Sequence, residues 1–301
     1  MSRTTEEIAS QPACWRRAAG LTAAPEGAAF LPPRGAELAV VGCGTSFFIA
    51  QAFAALRESA GQGRTDAFAA SDFPRRREYP FVLALTRSGT TSEIVTLLEE
   101  HAAAATSLVV TGVAGSPAFA AADRRLLLDF ADEESVVQTR FATTTLVYLR
   151  AALGEDMARA ASDAECALAA VLPLDPAATE QLTFLGTGWT VGLANEAALK
   201  LRESAQAWAE SYPAMEYRHG PISIAAPGRA VWPFGPLPPG LAAQIRATGA
   251  TLVDTGDLDP LAGLVLAQRY AVASAESRGL DPDKPRSLTR SVILPSTEVS
   301  S

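Results

Sequence analysis

A pattern of apolar strand, hydroxyl-rich loop and helix occurs twice in the first third of this chain. Residues 37–41 form the first apolar run, which continues into the turn GCGTS and a helical segment at 47–59. Residues 81–85 form the second run, followed by the loop TRSGTTS and a helical segment at 93–105. Helices between strands are the usual crossovers of a parallel sheet. The pattern therefore predicts an α/β fold in which both loops lie at the carboxyl ends of neighbouring strands.

Both loops have the composition of an anion-binding site. Such turns present backbone N–H groups and hydroxyls at the start of a helix, where the helix dipole favours negative charge. The loop TRSGTTS carries five hydroxyl side chains in seven residues. Tight turning by glycine and simple helix capping by Ser or Thr are the alternative explanations. Two such loops, with the polar segment SVVQTR beside the same crevice, favour a phosphate site.

The second half of the chain repeats the first in outline. Apolar runs at 181–186 and 230–234 alternate with helical segments, and Pro173 and Pro176 mark a boundary. We predict two doubly wound, flavodoxin-like αβα subdomains with parallel sheets flanked by helices. The loop GPLPPG of the second half lacks hydroxyls, so we expect one phosphate site per chain. The predicted organisation is an N-terminal helix and linker at 1–35, a first subdomain at 36–172, and a second subdomain at 173–301 that ends in an extended arm.

The segment NEAALKLRESAQAWAESYPAMEYRHGP holds most of the ionisable groups suited to acid–base chemistry. On a helix, Glu196, Lys200 and Glu203 are spaced four and then three residues apart, so they share one face. His219 is one of two histidines in the chain and lies before a Gly-Pro pair. Histidine suits proton transfer near neutral pH. A solvated helix face with an unrelated loop histidine is the alternative interpretation.

The composition argues against several classes of protein. With 301 residues, 48% of them hydrophobic and 19% charged, the chain can bury one large core or two smaller ones. A net charge of -8 argues against binding to nucleic acid or to an anionic membrane. Cys14, Cys43 and Cys166 have neither the spacing of a disulfide framework nor that of a zinc site. We expect a cytoplasmic protein with no metal site and no membrane-spanning segment.

Several motifs together resemble the sugar isomerase (SIS) domain family, especially the double-SIS module of glucosamine-6-phosphate synthase. They are EIASQP near the N-terminus, GCGTS, AASDF, TRSGTTSE, VVQTR, NEAALKLRES, YRHGP and the tail DPDKPRSLTRSV. The likeness covers nearly the whole chain. It implies an enzyme that needs no cofactor and acts on a phosphorylated sugar or amino sugar. It also implies a homodimer whose active sites are shared between subunits.

The resemblance assigns roles to individual residues. Glu203 matches the carboxylate that moves a proton between C1 and C2 of the sugar, and Lys200 matches an active-site lysine. His219 matches the histidine assigned to ring opening, which a neighbouring subunit contributes. The residues implied to bind the phosphate are Ser46, Thr86, Ser88 and Thr91, and those implied to bind the substrate beside it are Gly44, Thr45, Arg87, Gln138, Thr139 and Arg290.

The chain departs from the family pattern at several positions. Ser2 stands where the synthase has a catalytic cysteine, so we do not expect glutamine-dependent synthesis. Arg290 stands where the synthase has a lysine able to form a Schiff base. A guanidinium stays protonated and does not form that imine. Ser287 and Thr90 replace the usual Asn and Glu, so the resemblance does not identify the substrate.

The matched residues suit one type of reaction. Interconversion of a ketose and an aldose requires ring opening, followed by removal of a proton next to a carbonyl or imine. A histidine and a carboxylate are sufficient for these two steps. We predict aldose–ketose isomerisation coupled to deamination or deglycation of an amino-sugar phosphate. Two alternatives stay open, a plain phosphosugar isomerase and a non-catalytic sugar-phosphate sensor.

Overall fold

Two parallel β-sheets, one from each half of the chain, organise this computed structural model, which describes residues 2–295. The strands are β1 (Leu38–Gly42), β2 (Thr65–Ala69), β3 (Phe81–Leu85), β4 (Thr106–Thr111), β5 (Arg124–Leu127), β6 (Gln181–Gly186), β7 (Trp208–Pro213), β8 (Arg229–Phe234) and β9 (Thr251–Leu252). The helices are α1 (Arg3–Ala9), α2 (Gln11–Leu21), α3 (Pro25–Ala28), α4 (Thr45–Ser59), α5 (Ser92–His101), α6 (Pro117–Ala121), α7 (Arg140–Ala152), α8 (Ala158–Ala169), α9 (Thr190–Ala205), α10 (Leu241–Ala247) and α11 (Pro260–Ser277).

Both sheets have a doubly wound topology. The strand order is β2-β1-β3-β4-β5 in the first sheet and β7-β6-β8-β9 in the second, and every pairing is parallel. The first order is that of flavodoxin-like folds, and the second follows it with one strand fewer. The predicted α/β fold with two parallel sheets flanked by helices is confirmed. In such a sheet the ligand crevice lies where the strand order reverses, here between β1 and β3.

One hydrophobic core joins the two halves of the chain. Strand β1 is buried along its whole length, as expected for a parallel strand covered on both faces. Its residues Leu38 and Val40 belong to a core that also contains Phe184 and Trp232 of the second sheet. Side chains of α2, α4, α7, α8, α9 and α11 complete this core. The helices therefore fix the position of α9 relative to the loops of the first sheet.

Packing crosses the predicted boundary at residue 172. Helix α8 packs against α11, although the sequence places them in different subdomains. The predicted C-terminal arm forms neither helix nor strand over 279–295 and returns to loops of the first half. The boundaries at 35 and 172 stay a prediction. Within residues 2–295, no helix is both long and apolar enough to cross a bilayer.

A glycine on α9 lets this helix lie close to α4. A Cβ atom on Gly192 would lie 2.8 Å from the backbone nitrogen of Ala52 and closer still to the carbonyl oxygen of Phe48. We expect Gly192→Ala to push the two helices apart and to lower the free energy of unfolding by about 1–3 kcal/mol, the usual cost of overpacking. Urea unfolding followed by circular dichroism measures this change.

Gly20→Ala on α2 is the matched control for this substitution. Nothing lies within 4 Å of the position that its Cβ would take. Because alanine has the higher helix propensity, the control should keep the stability of the wild type or gain up to about 1 kcal/mol. An equal loss of stability in both variants would contradict the close contact of α9 with α4.

Candidate active site

The first loop of the candidate site joins β1 to α4. Gly42 ends the strand so close to the helix that a Cβ atom there would lie 2.6 Å from the Phe47 nitrogen. Gly44 has a φ of 54°, a conformation that favours glycine. This tight turn buries the side chains of Thr45 and Ser46 at the start of α4. Their hydroxyls therefore lie at the carboxyl end of β1.

The second loop joins β3 to α5 and is held by its own hydroxyls. Thr86 Oγ1 accepts a hydrogen bond from the Gly89 N–H at 3.2 Å, and Ser88 Oγ accepts one from the Thr90 N–H at 3.2 Å. Gly89 has a φ of 66°, and a Cβ atom there would overlap the Ser116 side chain. These hydrogen bonds and the glycine conformation hold the second loop in one conformation next to the first loop.

Side chains from both loops line one small cavity between the ends of β1 and β3. Its volume of about 20 Å³ suffices for about one water molecule. Gln138 Oε1 is buried and has no hydrogen-bond partner within the described residues. The structure brings seven of the predicted site residues together here. The lining residues are Cys43, Ser46, Leu85, Thr86, Arg87, Ser88, Thr91, Ile94, Gln138 and Arg290.

Cys43 is a cavity residue that the sequence analysis did not assign to the site. Burial raises the pKa of its thiol to about 11, and Glu93 adds to this shift. The thiol is therefore neutral near pH 7 and places no negative charge beside an incoming anion. In the part of the chain from 2 to 295, no group of three or more His, Cys, Asp or Glu side chains is arranged to hold a metal ion.

The C-terminal arm fills the space next to the loop hydroxyls. Ser291 Oγ lies 3.2 Å from Ser88 Oγ, 2.9 Å from Thr90 Oγ1 and 3.4 Å from Thr91 Oγ1. The arm backbone is also held, because the first residue of α5 donates its N–H to the carbonyl of Val292 at 3.2 Å. Ser291 was not among the site residues predicted from the sequence. The match of its neighbour Arg290 to the family motif is the signal that pointed to this segment.

Two arginines of the cavity bind an acidic segment before α7. Arg87 is 2% exposed, donates to the carbonyls of Ser135 at 2.9 Å and Arg290 at 2.8 Å, and lies 3.9 Å from Glu133 Oε2. Arg290 forms an ion pair with Asp132 at 2.5 Å and donates to the Glu133 carbonyl. Burial lowers the pKa of Arg87, and Glu133 opposes that shift. The two guanidinium groups therefore attach the arm to this segment and bring positive charge to the cavity wall.

Thr139 does not line the cavity. Its backbone N–H and its hydroxyl both donate to Glu133 Oε1, at 2.5 and 2.8 Å, and the Arg140 N–H donates to the same oxygen at 2.8 Å. The Glu133 carboxyl thus satisfies N–H groups at the start of α7. Burial raises the pKa of Glu133, although Arg87 opposes this. Thr139 holds the loop that carries Gln138, and its contact with substrate stays a prediction.

The three ionisable residues of α9 meet as the helical spacing predicts. Lys200 Nζ lies 2.5 Å from Glu203 Oε2 and 3.5 Å from Glu196 Oε1, and it donates to Thr45 Oγ1 at 2.9 Å. Lys200 and Glu196 are buried, whereas 19% of the Glu203 side chain is exposed. Helix α9 therefore places one accessible carboxylate next to the first loop.

Burial determines the charges of Glu196 and Lys200. It raises the pKa of Glu196 to about 8, and Lys200 only partly opposes the shift. Burial also lowers the pKa of Lys200, but Glu196 and Glu203 outweigh it, so the net shift is upward. At pH 7 Glu196 is therefore protonated and Lys200 is an ammonium ion. A fixed ammonium is a poor Schiff-base nucleophile but a strong electrostatic partner for Glu203.

Glu203 borders a second, more open pocket of about 460 Å³. Gln206 has a φ of 51° and ends α9 at one side of this pocket. The C-terminal arm forms the other side. We call it the arm pocket, and its lining residues are Arg202, Glu203, Gln206, Ala207, Arg286, Ser287 and Leu288. Glu203 therefore lies between the buried contact of Lys200 with Thr45 and a space open to solvent.

His219 is not brought to Glu203 by the fold of one chain. It is exposed at the end of the 3-10 helix Glu216–His219 and lines neither the cavity nor the arm pocket. The family resemblance implies that His219 reaches the site of a neighbouring subunit. Its role therefore stays a prediction.

Comparison with known proteins identifies the domain family to which the two loops belong. Residues 35–153, which contain both hydroxyl-rich loops, match the sequence model of the SIS domain. The chain therefore contains a SIS domain at residues 35–153. A relative from Aeropyrum pernix, glutamine–fructose-6-phosphate aminotransferase (isomerizing), is 30% identical over 268 residues, which are 71% of this chain and 43% of the relative. The chain spans about half the length of the curated relatives it matches.

Solved structures share the fold of this chain across both sheets. A glucosamine-6-phosphate deaminase from Thermotoga maritima has a TM-score of 0.82 at 23% identity, covering 97% of this chain and 100% of its own. A tagatose-6-phosphate ketose/aldose isomerase from Escherichia coli has a TM-score of 0.80 at 20% identity, covering 98% and 97%. At these identities the likeness establishes the fold alone.

The SIS match corrects the predicted number of such domains from two to one. It ends at residue 153 and does not include the second sheet. The second sheet keeps the parallel strand order, but its loops read TGW and GPLPPG where the first sheet has hydroxyl-rich loops. Similar topology therefore persists in the second half without the loop chemistry of the first.

Proposed function

We propose that this chain is an enzyme that isomerises a phosphorylated sugar and couples this step to deamination or deglycation of an amino-sugar phosphate. The observation that carries the proposal is a hydrogen-bonded path from Glu203 through Lys200 to Thr45, with distances of 2.5 and 2.9 Å. This path connects a partly exposed carboxylate to the first loop, whose next residue, Ser46, lines the hydroxyl-rich cavity. A sensor would have no need of a buried ammonium that holds a carboxylate at the edge of its ligand site.

The cavity hydroxyls are proposed to bind the phosphate. Ser46, Thr86, Ser88 and Thr91 supply donors from two loops, and the helix starts behind them favour an anion. In the structure the Ser291 hydroxyl makes contacts that phosphate oxygens would make. Binding of phosphate therefore requires this part of the arm to shift. Contacts to a phosphate remote from the reacting carbons supply binding energy and fix their orientation.

Glu203 is proposed to transfer the proton between C1 and C2. In an open-chain ketoamine, Glu203 removes a proton from C1 and a proton is returned to C2. The C2 oxygen gains a proton as the nitrogen loses one, which leaves an imine at C1. Water adds to this imine and the C–N bond breaks, giving an aldose phosphate and a free amine. Lys200 stays protonated and positions the carboxylate of Glu203.

Arg290 is proposed to act as a fixed cation and not as a covalent nucleophile. Its guanidinium is held by Asp132 and by a backbone carbonyl, and its side chain lines the phosphate cavity. A guanidinium cannot form the imine that a lysine could form at this position. Ring opening is therefore assigned to acid–base chemistry.

His219 is proposed to open the sugar ring from a neighbouring subunit of a homodimer. Mixing Glu203→Gln chains with His219→Ala chains should restore part of the activity that each variant lacks alone, because one site of the mixed dimer is intact. Activity is measured on dimers isolated with two different affinity tags. Failure of a confirmed mixed dimer to recover any activity would contradict a site shared between subunits.

Turnover of a panel of phosphosugars tests the proposed function. Fructose 6-phosphate, tagatose 6-phosphate, glucosamine 6-phosphate and fructosamine 6-phosphate are incubated with purified protein, and products and ammonia are followed by NMR and by a coupled assay. We expect isomerisation of at least one member, with release of ammonia from an amino sugar. Ser88→Ala should raise KM about 10- to 100-fold, the usual effect of losing a hydrogen bond to a charged group. Ser162→Ala on the exposed face of α8 is the matched control.

Three outcomes of this panel are distinguishable. Isomerisation without loss of nitrogen would establish the plain phosphosugar isomerase. Tight binding by calorimetry without any turnover would establish the sensor. Neither binding nor turnover of any phosphosugar would contradict the proposed function.

A further inference from the structure

The N-terminal motif EIASQP lies outside the phosphate cavity and packs against the acidic segment, residues 132–138. Glu7 of this motif is 4% exposed. Its Oε1 accepts the backbone N–H of Glu134 at 2.6 Å and that of Ser135 at 3.3 Å, and its Oε2 accepts the Ser135 hydroxyl. Among residues 2–295, no Arg, Lys or His nitrogen lies within 4.0 Å of this carboxylate. Because a buried carboxylate is costly unless hydrogen bonds compensate it, these three donors tie the acidic segment to α1.

A second residue of the motif holds the beginning of the same segment. Ser10 Oγ accepts a hydrogen bond from Arg140 Nη1 at 3.1 Å. The same guanidinium donates to the carbonyl of Asp132, from Nε at 3.0 Å and also from Nη2. Glu7 and Ser10 are three residues apart, so they lie about one helical turn from each other. The motif therefore fixes the acidic segment at two points.

The acidic segment in turn places three side chains that line the phosphate cavity. The Arg87 guanidinium donates to the Ser135 carbonyl at 2.9 Å, and the Arg290 guanidinium is paired with Asp132. Gln138 belongs to the segment itself and lines the cavity together with both arginines. A shift of the Ser135 backbone would therefore move groups on one whole wall of the cavity.

We propose that Glu7 is a positioning residue of the phosphate cavity, because it holds the acidic segment where Gln138 and the two arginines can contact a bound phosphate. This inference rests on the proposed function and adds a residue that acts on the phosphate from outside the cavity. A misplacement of about 1 Å can cost on the order of 100-fold even when the changed residue lies far from the reacting atoms. If Glu7 only docked α1, its loss would lower stability and leave phosphate affinity unchanged.

The test compares Glu7→Ala with Glu7→Gln, which keeps the shape of the side chain. The amide oxygen of Glu7→Gln can accept the two N–H groups, and its amide nitrogen can donate to Ser135 Oγ, whose own proton is then free for the Val137 carbonyl at 2.9 Å. Calorimetry with inorganic phosphate and with fructose 6-phosphate should show an affinity about 10- to 100-fold lower in Glu7→Ala, the range for loss of hydrogen bonds to a charged group. Glu7→Gln should recover most of this affinity. With a phosphosugar that the wild type turns over, Glu7→Ala should raise KM and change kcat little.

Glu6→Ala, an exposed neighbour on α1, is the matched control and should bind phosphate as the wild type does. Urea unfolding of the same proteins measures stability separately from binding. A folded Glu7→Ala protein with the phosphate affinity of the wild type would overturn this inference and leave the proposed function standing.

If Glu7→Ala does not fold, Ser135→Ala takes its place, because it removes one of the three donors to Glu7. An affinity about 2- to 10-fold lower, the usual effect of one hydrogen bond, would support the inference, and an unchanged affinity would overturn it. A wild type that binds neither inorganic phosphate nor fructose 6-phosphate, and turns over no phosphosugar, would overturn the proposed function and this inference together.

Discussion

Glu203→Gln is expected to lower kcat by about 10²- to 10⁴-fold, the usual contribution of general acid–base catalysis. Glutamine has nearly the same shape as glutamate but cannot accept the proton from C1. Its amide oxygen can still accept the hydrogen bond from Lys200, which lies 2.5 Å from the carboxylate in the wild type. Phosphosugar affinity, measured by calorimetry, should change little because the phosphate cavity is intact.

Glu99→Gln, an exposed position on α5, is the control for this experiment. It should have the kcat of the wild type. A Glu203→Gln variant that keeps the wild-type kcat would show that a group other than Glu203 of α9 moves the proton.

Lys200→Met is expected to lower the free energy of unfolding by about 3–5 kcal/mol, the usual cost of removing one partner from a buried charge pair. Methionine has a similar length, but it leaves Thr45 without its donor and Glu203 without its cation. Urea unfolding at pH 5, 7 and 8 measures the loss, which should be largest at pH 8. An unchanged stability at all three values would contradict the role of Lys200 as the charge that holds α9 to the first loop.

Glu196 gives this stability a defined pH dependence. Its pKa in the folded protein is about 8, above the ordinary value of 4.5, so the folded state holds the proton more tightly than the unfolded state. Its contribution to stability is therefore complete below pH 4.5 and is lost as the pH rises to about 8. Glu196→Gln lacks this titration. The stability of the variant relative to the wild type should rise with pH across this window, by at most about 1.4 kcal/mol per pH unit.

The double variant Glu196→Gln, Lys200→Met separates charge from packing. At pH 8 it should recover a large part of the stability that Lys200→Met loses, because the buried carboxyl is gone together with its cation. If the stability difference between Glu196→Gln and the wild type is the same at pH 5 and pH 8, Glu196 does not titrate in this range in the folded protein.

The sequence predicted the central strands of both sheets and one edge strand of each, and it missed the other edge strand of each sheet. Strands β1 and β3 are continuous apolar runs, and β6 is mostly apolar apart from Gln181 and Thr183, because these strands are covered on both faces. Strands β2 and β7 were missed. Their sequences, TDAFA and WAESYP, are partly polar, since an edge strand contacts solvent along one side. Pro213 in β7 also argues against a strand when the sequence is read alone, because proline cannot donate a hydrogen bond to a neighbouring strand. In sheets it is found mainly in edge strands such as β7.

Contacts within the site were predictable where they follow from local geometry, such as the spacing along one helix or the position of a loop at the end of a strand. The i, i+4 and i+3 spacing on α9 predicted the contacts of Lys200 with Glu196 and Glu203, and strand-end loops predicted the hydroxyl cluster. The contacts of the arm were not predictable in this way, because Ser291 and Ser88 are 203 residues apart and meet only through the tertiary fold. The hydrogen bonds of Thr139 at the start of α7 were not predictable either, because their acceptor, Glu133, belongs to none of the recognised motifs.

Exchange of substrate hydrogen with solvent directly tests whether Glu203 moves a proton on a sugar that is held by its phosphate. A 6-phosphosugar or ketoamine 6-phosphate that the wild type turns over is incubated with protein in D2O and examined by NMR. We expect deuterium at C1 or C2, little deuterium in the same sugar without phosphate, and a loss of exchange in Glu203→Gln that matches the loss in kcat. A phosphosugar that binds without any exchange, or exchange that persists undiminished in Glu203→Gln, would contradict this role of Glu203.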